Sequence, residues 1–212
     1  MLLDIRQSDL KIHIFRSYFH TMALQPYTIP NSALDIGFFS VKGASRRLGT
    51  GKISNFCIPS QIARVVGPAS VSMGMESLSG VYIKDEGNCY FVGTDAALQS
   101  SARQTRTITE NFVESSEYRV LFLAGLHYIL RDHIHNLAKC EKVEIRRLVM
   151  GLPLNTVKEY SDKVREMFEG PHTVPLPNGG GDIQVTVRSI AVIPQPQGAM
   201  VIAGKKKKKE EL

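Results

Sequence analysis

Tryptophan is missing from this 212-residue chain, and cysteine is scarce: Cys57, Cys89 and Cys140 are far apart and odd in number. No Cys-x-x-Cys pair or Cys/His ligand spacing occurs, which argues against a zinc site and leaves three reduced thiols as the plain expectation. No apolar run reaches the roughly eighteen residues that a membrane helix needs. The N-terminus lacks the basic, apolar and small-residue order of a secretory signal, so cytoplasm is the expected compartment. A Walker phosphate loop is lacking too. In "LGTGKIS" Ile53 follows Gly51-Lys52 where Ser or Thr is required, and Arg46 stands where the first glycine belongs. Nor is there a concentrated basic face. Of the formal +6 charge, "KKKKKEEL" at the end supplies half, and the rest is scattered without aromatic interleaving. Direct nucleic-acid binding is therefore not expected.

What is present is ordinary globular material, 43% hydrophobic and 22% charged, enough for one sizeable core. Residues 1–31 have only fitful amphipathic character and two prolines, and are expected to form a poorly packed extension, with Met22 an alternative start. From Ser32 the pattern is regular. "SALDIG" and "FFSVKGA" read as strands about a tight turn, and "KISNFCIPS" as a third. "ARVVGPASVSMGMESLSG" reads as irregular, and "GVYIKDEGNCYFVG" as a hairpin turning at Asp85–Asn88. "TDAALQSSA" is a short helix candidate capped by Thr94. The best helix is "SSEYRVLFLAGLHYILRDHIHNLAKC", capped by Ser115 or Ser116, with Val120, Leu123, Ala124, His127, Leu130, Ile134 and Leu137 on one stripe. "KVEIRRLVMGLP" reads as a strand and "TVKEYSDKVREMFEG" as an amphipathic helix closed by Gly170. A turn at Asn178–Gly181 then leads into a strand with alternating Ile183, Val185 and Val187. This order predicts a mixed α/β layer architecture without internal repeats. His127 falls on the apolar stripe and reads as a core histidine; no carboxylate completes a metal face with His133 or His135.

One stretch carries chemistry. In "ALDIGFFSVKG" a strand ends in Asp35, turns at Gly37 and returns with Ser40 and Lys42. A turn of small residues lets backbone N–H groups converge on an anion, which a lysine neutralises and a hydroxyl supplements. Asp35 beside a polyphosphate would repel it unless a divalent cation lay between, so the pattern implies Mg²⁺ held through water. The same residues also suit a plain hairpin.

Further stretches follow in order: "YFVGTDAA", "LVMGLPLNTVKEY", "FEGPHTVPL" and "IAVIPQPQGAM". Together with "LDIGFFSVK" they resemble the phosphate loop, glycine–alanine step, Gly-Leu-Pro strand end and Pro-Gln-x-x-Gly-Ala segment of actin-like ATPases. The likeness is to the plasmid-segregation ParM/StbA type, including the actin-like member of plasmid tri-component systems. It covers about Ala33 to Met200. It implies a ribonuclease-H-like actin-type domain, a mixed sheet flanked by helices and present in one copy of the usual two, spanning 32–200, with 201–212 a charged tail. It implies ATP and Mg²⁺ as cofactors, Asp35 at the Mg²⁺ shell, Gly37, Phe38, Phe39, Ser40 and Lys42 at the phosphates, and Gln195 orienting the attacking water. The two phenylalanines stand where small or polar residues are commoner, so backbone atoms would face the phosphate. Partners implied are a filament of this or a full-length actin-like protein, and a DNA-bound adaptor. No second Asp-x-Gly follows Gln195. The expectation is therefore a half-site, weak or inactive as an ATPase by itself, or else an interaction module that regulates a full-length partner.

Overall fold

The computed structural model describes residues 26–47, 50–66, 78–99, 111–137 and 140–195. The expected tail, most of the expected extension, and most of the stretch read as irregular lie outside them. Two sheets form. The larger has strands β1 (Tyr27–Ile36), β2 (Ser40–Arg46), β3 (Ile53–Pro59), β7 (Lys142–Leu152), β8 (Gly170–Pro175), β9 (Asp182–Val187) and β10 (Ile190–Pro194). Its order is β3-β2-β1-β7-β9-β8, with β10 also on β7. The smaller is β4-β6-β5, from β4 (Ile62–Val65), β5 (Val81–Asp85) and β6 (Asn88–Val92). Helices are α1 (Ala96–Gln99), α2 (Ser116–Arg131), α3 (Ile134–Leu137) and α4 (Val157–Phe168), with a 3₁₀ turn at Phe112–Glu114 before α2.

β1 begins at Tyr27, ahead of the boundary expected at Ser32, because Ile29 is fully buried and pairs with Ile145. β1 and β10 both run parallel to β7. β9 and β10 form one interrupted strand: Lys142 pairs with Gln184 and Leu148 with Ile190, the same register on both sides of Arg188–Ser189. Ladder bonds Arg188 N–H to Ile145 O and Leu148 N–H to Ser189 O carry it across the gap. At this level the burial alternation shifts by one residue on all three neighbours, at Pro30–Asn31, Arg146–Arg147 and Arg188–Ser189. The ladder between β1 and β7 omits Pro30, which has no N–H to give.

One face of the large sheet is covered by α2 and α4. α2 is capped by Ser115, whose Oγ accepts from Tyr118 N, and it is buried on almost every side, as a core helix should be. Phe168 of α4 stacks on Phe122 of α2 at 4.2 Å between centroids. Gly125 lets α2 approach the sheet: a Cβ there would lie 2.5 Å from Leu34 Cδ1. The long helix expected through Cys140 stops at Arg131. Asp132 N–H turns to Ile129 O and Leu130 O, and His133 is drawn into the core. There the Tyr27 hydroxyl lies 3.0 Å from its Nδ1 and that of Ser45 lies 2.7 Å from its Nε2. The small sheet is tied to α2 by Arg119, which donates to both oxygens of Asp85 at the hairpin turn and reaches Glu86 at 2.9 Å.

Candidate functional site

The site is on the other face of the large sheet, at the carboxyl ends of the parallel strands, where open α/β sheets place ligands. Residues opposed across a sheet share a face. Register therefore sets Cys57, Lys42, Asp35, Gly151 and Ile193 in one row across five strands. The row behind it is Asn55, Ala44, Ala33, Val149 and Ala191. The two rows lie along a groove of about 490 Å³, which Gln195 closes at one end.

Gln195 Nε2 donates to Asp35 Oδ1 at 2.7 Å, joining residues 160 positions apart. The bond passes over Gly151. A Cβ on Gly151 would lie 3.2 Å from Gln195 Cγ and 3.3 Å from Asp35 Oδ1, so the small residue is what lets these side chains meet. Lys42 is exposed beside them. The result is a carboxylate and a carboxamide in contact, an ammonium on the adjacent strand, and a floor of small residues. Such a set can hold an anion with a hydrated cation between it and Asp35. Among the described residues no group of three or more metal ligands is gathered. Asp35 would then share a cation with phosphate oxygens and water.

The turn expected to wrap an anion is built differently from its neighbours in the motif. Gly37 N–H donates to Ser40 O at 3.0 Å, so this amide closes the turn. Ser60, which sequence reasoning missed, is fully buried and holds the turn from beneath: its Oγ donates to Gly37 O at 2.5 Å and its N–H to Phe39 O at 3.0 Å. Phe38 stacks on Phe112 at 4.6 Å, whereas Phe39 is 88% exposed. Of the expected site residues, Asp35, Lys42 and Gln195 line the groove; Gly37, Phe38, Phe39 and Ser40 do not.

Electrostatics beneath the site are set by burial. The Tyr118 hydroxyl is buried without a hydrogen-bond partner among the described residues, and burial, then the charge of Asp35, push its pKa up. Phe112 meets the Tyr118 ring edge-on at 5.3 Å, so turn, 3₁₀ segment and α2 form one aromatic stack. Gly151 was legible only as part of Gly-Leu-Pro; nothing local in the sequence marks Ser60 or Tyr118.

Residues 33–198 match the family described as actin-like proteins, N-terminal domain. No curated protein matches. Solved structures similar in fold include three from plasmid and archaeal actin-like proteins. The apo ParM protein of psk41 has a TM-score of 0.56 at 18% identity, covering 81% of this chain and 50% of its own. AlfA from the B. subtilis plasmid pLS32, in its filament structure, has 0.55 at 20%, covering 78% and 55%. The archaeal actin homolog Ta0583 has 0.56 at 22%, covering 81% and 47%. This chain thus spans about half the length of each. Ta0583 is known in complex with ADP, and the AlfA filament bound to AMPPNP.

Proposed function

Because the chain belongs to the actin-like proteins, through their N-terminal domain, we propose that it is the nucleotide-binding half of a filament-forming protein that segregates plasmid or other DNA. The observation that carries this reading is the row of Lys42, Asp35 and Gly151 closed by the Asp35–Gln195 bond at 2.7 Å. In it Lys42 pairs with phosphate oxygens, Asp35 holds water of the Mg²⁺ shell, and Gln195 positions the attacking water, an amide being both donor and acceptor. Mg²⁺, when bound, neutralises charge on the phosphates. Beside them is the turn at Gly37–Ser40, its Gly37 N–H engaged by Ser40 O, with Phe38 stacked on Phe112 and Phe39 exposed; its remaining backbone is proposed to face the same phosphates. ADP and AMPPNP complexes of fold relatives support a nucleotide as the ligand.

Filament formation, a DNA-bound adaptor and a cytoplasmic setting belong to this proposal too. None of the described helices is long and apolar enough to cross a membrane. The groove is open to solvent at Lys42, so the chain by itself excludes water poorly and turns ATP over slowly or not at all. Calorimetric titration with Mg·ATP tests the reading. Saturable binding that weakens at least about tenfold in Lys42→Ala supports the phosphate cradle. Absence of binding at about millimolar ATP removes it and leaves a non-catalytic interaction module.

A further inference from the structure

Among the described residues three strands of the large sheet have a single neighbour, β3, β8 and β10, and at β10 the Ile190 N–H and O are taken by the side chains of Glu169 and Arg165. In an antiparallel pair, alternate residues turn N–H and C=O toward the partner and the others turn them outward. Backbone hydrogen bonds at the strand ends fix which is which on β3 and β8. Gly37 N–H to Ser40 O closes the turn between β1 and β2, and Ser60 N–H to Phe39 O extends the ladder between β2 and β3. Following the register, Ser54, Phe56 and Ile58 bond to β2, and Ile53, Asn55, Cys57 and Pro59 face outward. On β8, Leu176 N–H to Gly181 O makes Gly170, His172 and Val174 the inward residues. Its outward residues are Pro171, Thr173 and Pro175.

Two of the three outward positions of β8 thus lack an N–H, a common way to block strand addition. On β3 three of the four outward positions have one, and only Pro59, at the end of the strand, lacks it. β3 also carries no charged residue to repel a guest, and Ile53 is 65% exposed. Its surroundings are charged instead: Lys42, Arg46, Lys52 and Arg131 are exposed about it, while Arg47 is engaged by Asp132 at 3.6 Å. Below the strand a polar cleft of about 360 Å³ is lined by Phe56, Ser79, Thr94, Tyr128, Arg131 and Asp132, the last paired with Arg47.

We infer that β3 is a docking edge that accepts an extended acidic segment of a partner protein as an added strand. Backbone bonds to Ile53, Asn55 and Cys57 supply register. Alternate guest carboxylates fall beside Lys42 on the groove face and toward Arg131 in the lower cleft. The excess of lysine and arginine selects an acidic guest over a second copy of this chain, which would bring the same charges to the edge. The inference does not depend on nucleotide binding.

The test uses the full chain and a fluorescein-labelled octapeptide with four successive glutamates between paired valines, capped at both ends, so that carboxylates point to both faces, with a control that has lysines in place of the glutamates. Anisotropy is expected to show saturable, salt-weakened binding of the glutamate peptide only. Asn55→Pro removes one outward N–H at a position where an edge tolerates proline, and should weaken binding at least about tenfold. Thr173→Pro on β8 should leave it unchanged. Should Asn55→Pro fail to fold, Arg131→Glu serves, and should abolish the preference for glutamate. Equal binding by Asn55→Pro, equal binding of the lysine peptide, or a dimer of the chain that Asn55→Pro dissolves would each overturn the proposal. Slow exchange of the Asn55 and Cys57 amides in the chain alone would overturn it as well, since the edge would then be covered already.

Discussion

Leu34 and Asp35 are neighbours in the chain and lie on opposite faces of β1. Leu34 is buried against α2, so closely that position 125 has room only for glycine. Asp35 is half-buried beside Gln195 over a second close approach, at Gly151, whose neighbours are the Gln195 methylene and the Asp35 carboxylate. Both faces use glycine to let groups meet, but for different ends. On the covered face the gain is removal of apolar area from water, which scales with size and shape. On the open face small residues lay a floor on which a few polar groups converge, an arrangement that adds little stability and is suited to binding. The comparison implies that stability and ligand affinity can be altered separately, one residue apart.

The largest effect should come from the covered side. Leu34→Ala removes a core side chain at a site where the α2 backbone cannot close in, and is expected to cost about 2–5 kcal/mol in urea denaturation. Asp35→Ala loses one hydrogen bond at a partly wet site and should cost within about 1 kcal/mol. Equal costs would break the distinction between the faces.

Acid should act on the covered side as well. His127 donates from Nδ1–H to Pro175 O, and His172 likewise donates from Nε2–H to Phe168 O. With His133 they are held neutral, burial lowering all three from the ordinary histidine value. Their contribution is present above the unfolded value of about 6.5 and is lost as pH falls through the lower folded values. Melting temperature should therefore be flat from about pH 8 to 7 and fall steadily below about 6.5. None of the three lines the groove. A replacement of His133 by Gln, which keeps donor and acceptor without the titration, should flatten part of that fall.

How much of this was legible follows the same division. Asp35, Lys42 and Gln195 could be named from the sequence because the motif order places them together, though the 2.7 Å bond between the first and last joins opposite ends of the domain. The strands about the first turn, the 81–92 hairpin and the amphipathic helix were legible because their periodicity is local. The stop of α2 at Arg131 was not. Its cause is His133, which reaches Tyr27 across 106 positions, and helical spacing continues past it as if nothing happened. β4 was missed within a stretch rich in small residues, since Ala63 shows its burial only against Phe91 and Ala96. The phase shift shared by β1, β7 and the strand formed by β9 and β10 is visible only when three distant segments lie side by side.

Gly151 gives the smallest expected change in stability and the sharpest test of the comparison. It adopts an ordinary strand conformation, so alanine there gains backbone rigidity worth about 0.5–1 kcal/mol. The new Cβ, at 3.2 Å from Gln195 Cγ and 3.3 Å from Asp35 Oδ1, must push both side chains aside by a few tenths of an ångström. These opposed terms should leave the denaturation midpoint of Gly151→Ala within about 1 kcal/mol of the parent. The Asp35–Gln195 bond is displaced in the same step, so Mg·ATP affinity should fall in a variant whose fold is intact. A loss of several kcal/mol instead would mean that the open face is packed as tightly as the covered one, and that Gly151 serves the core. An unchanged affinity would place the ligand away from the row that this glycine permits.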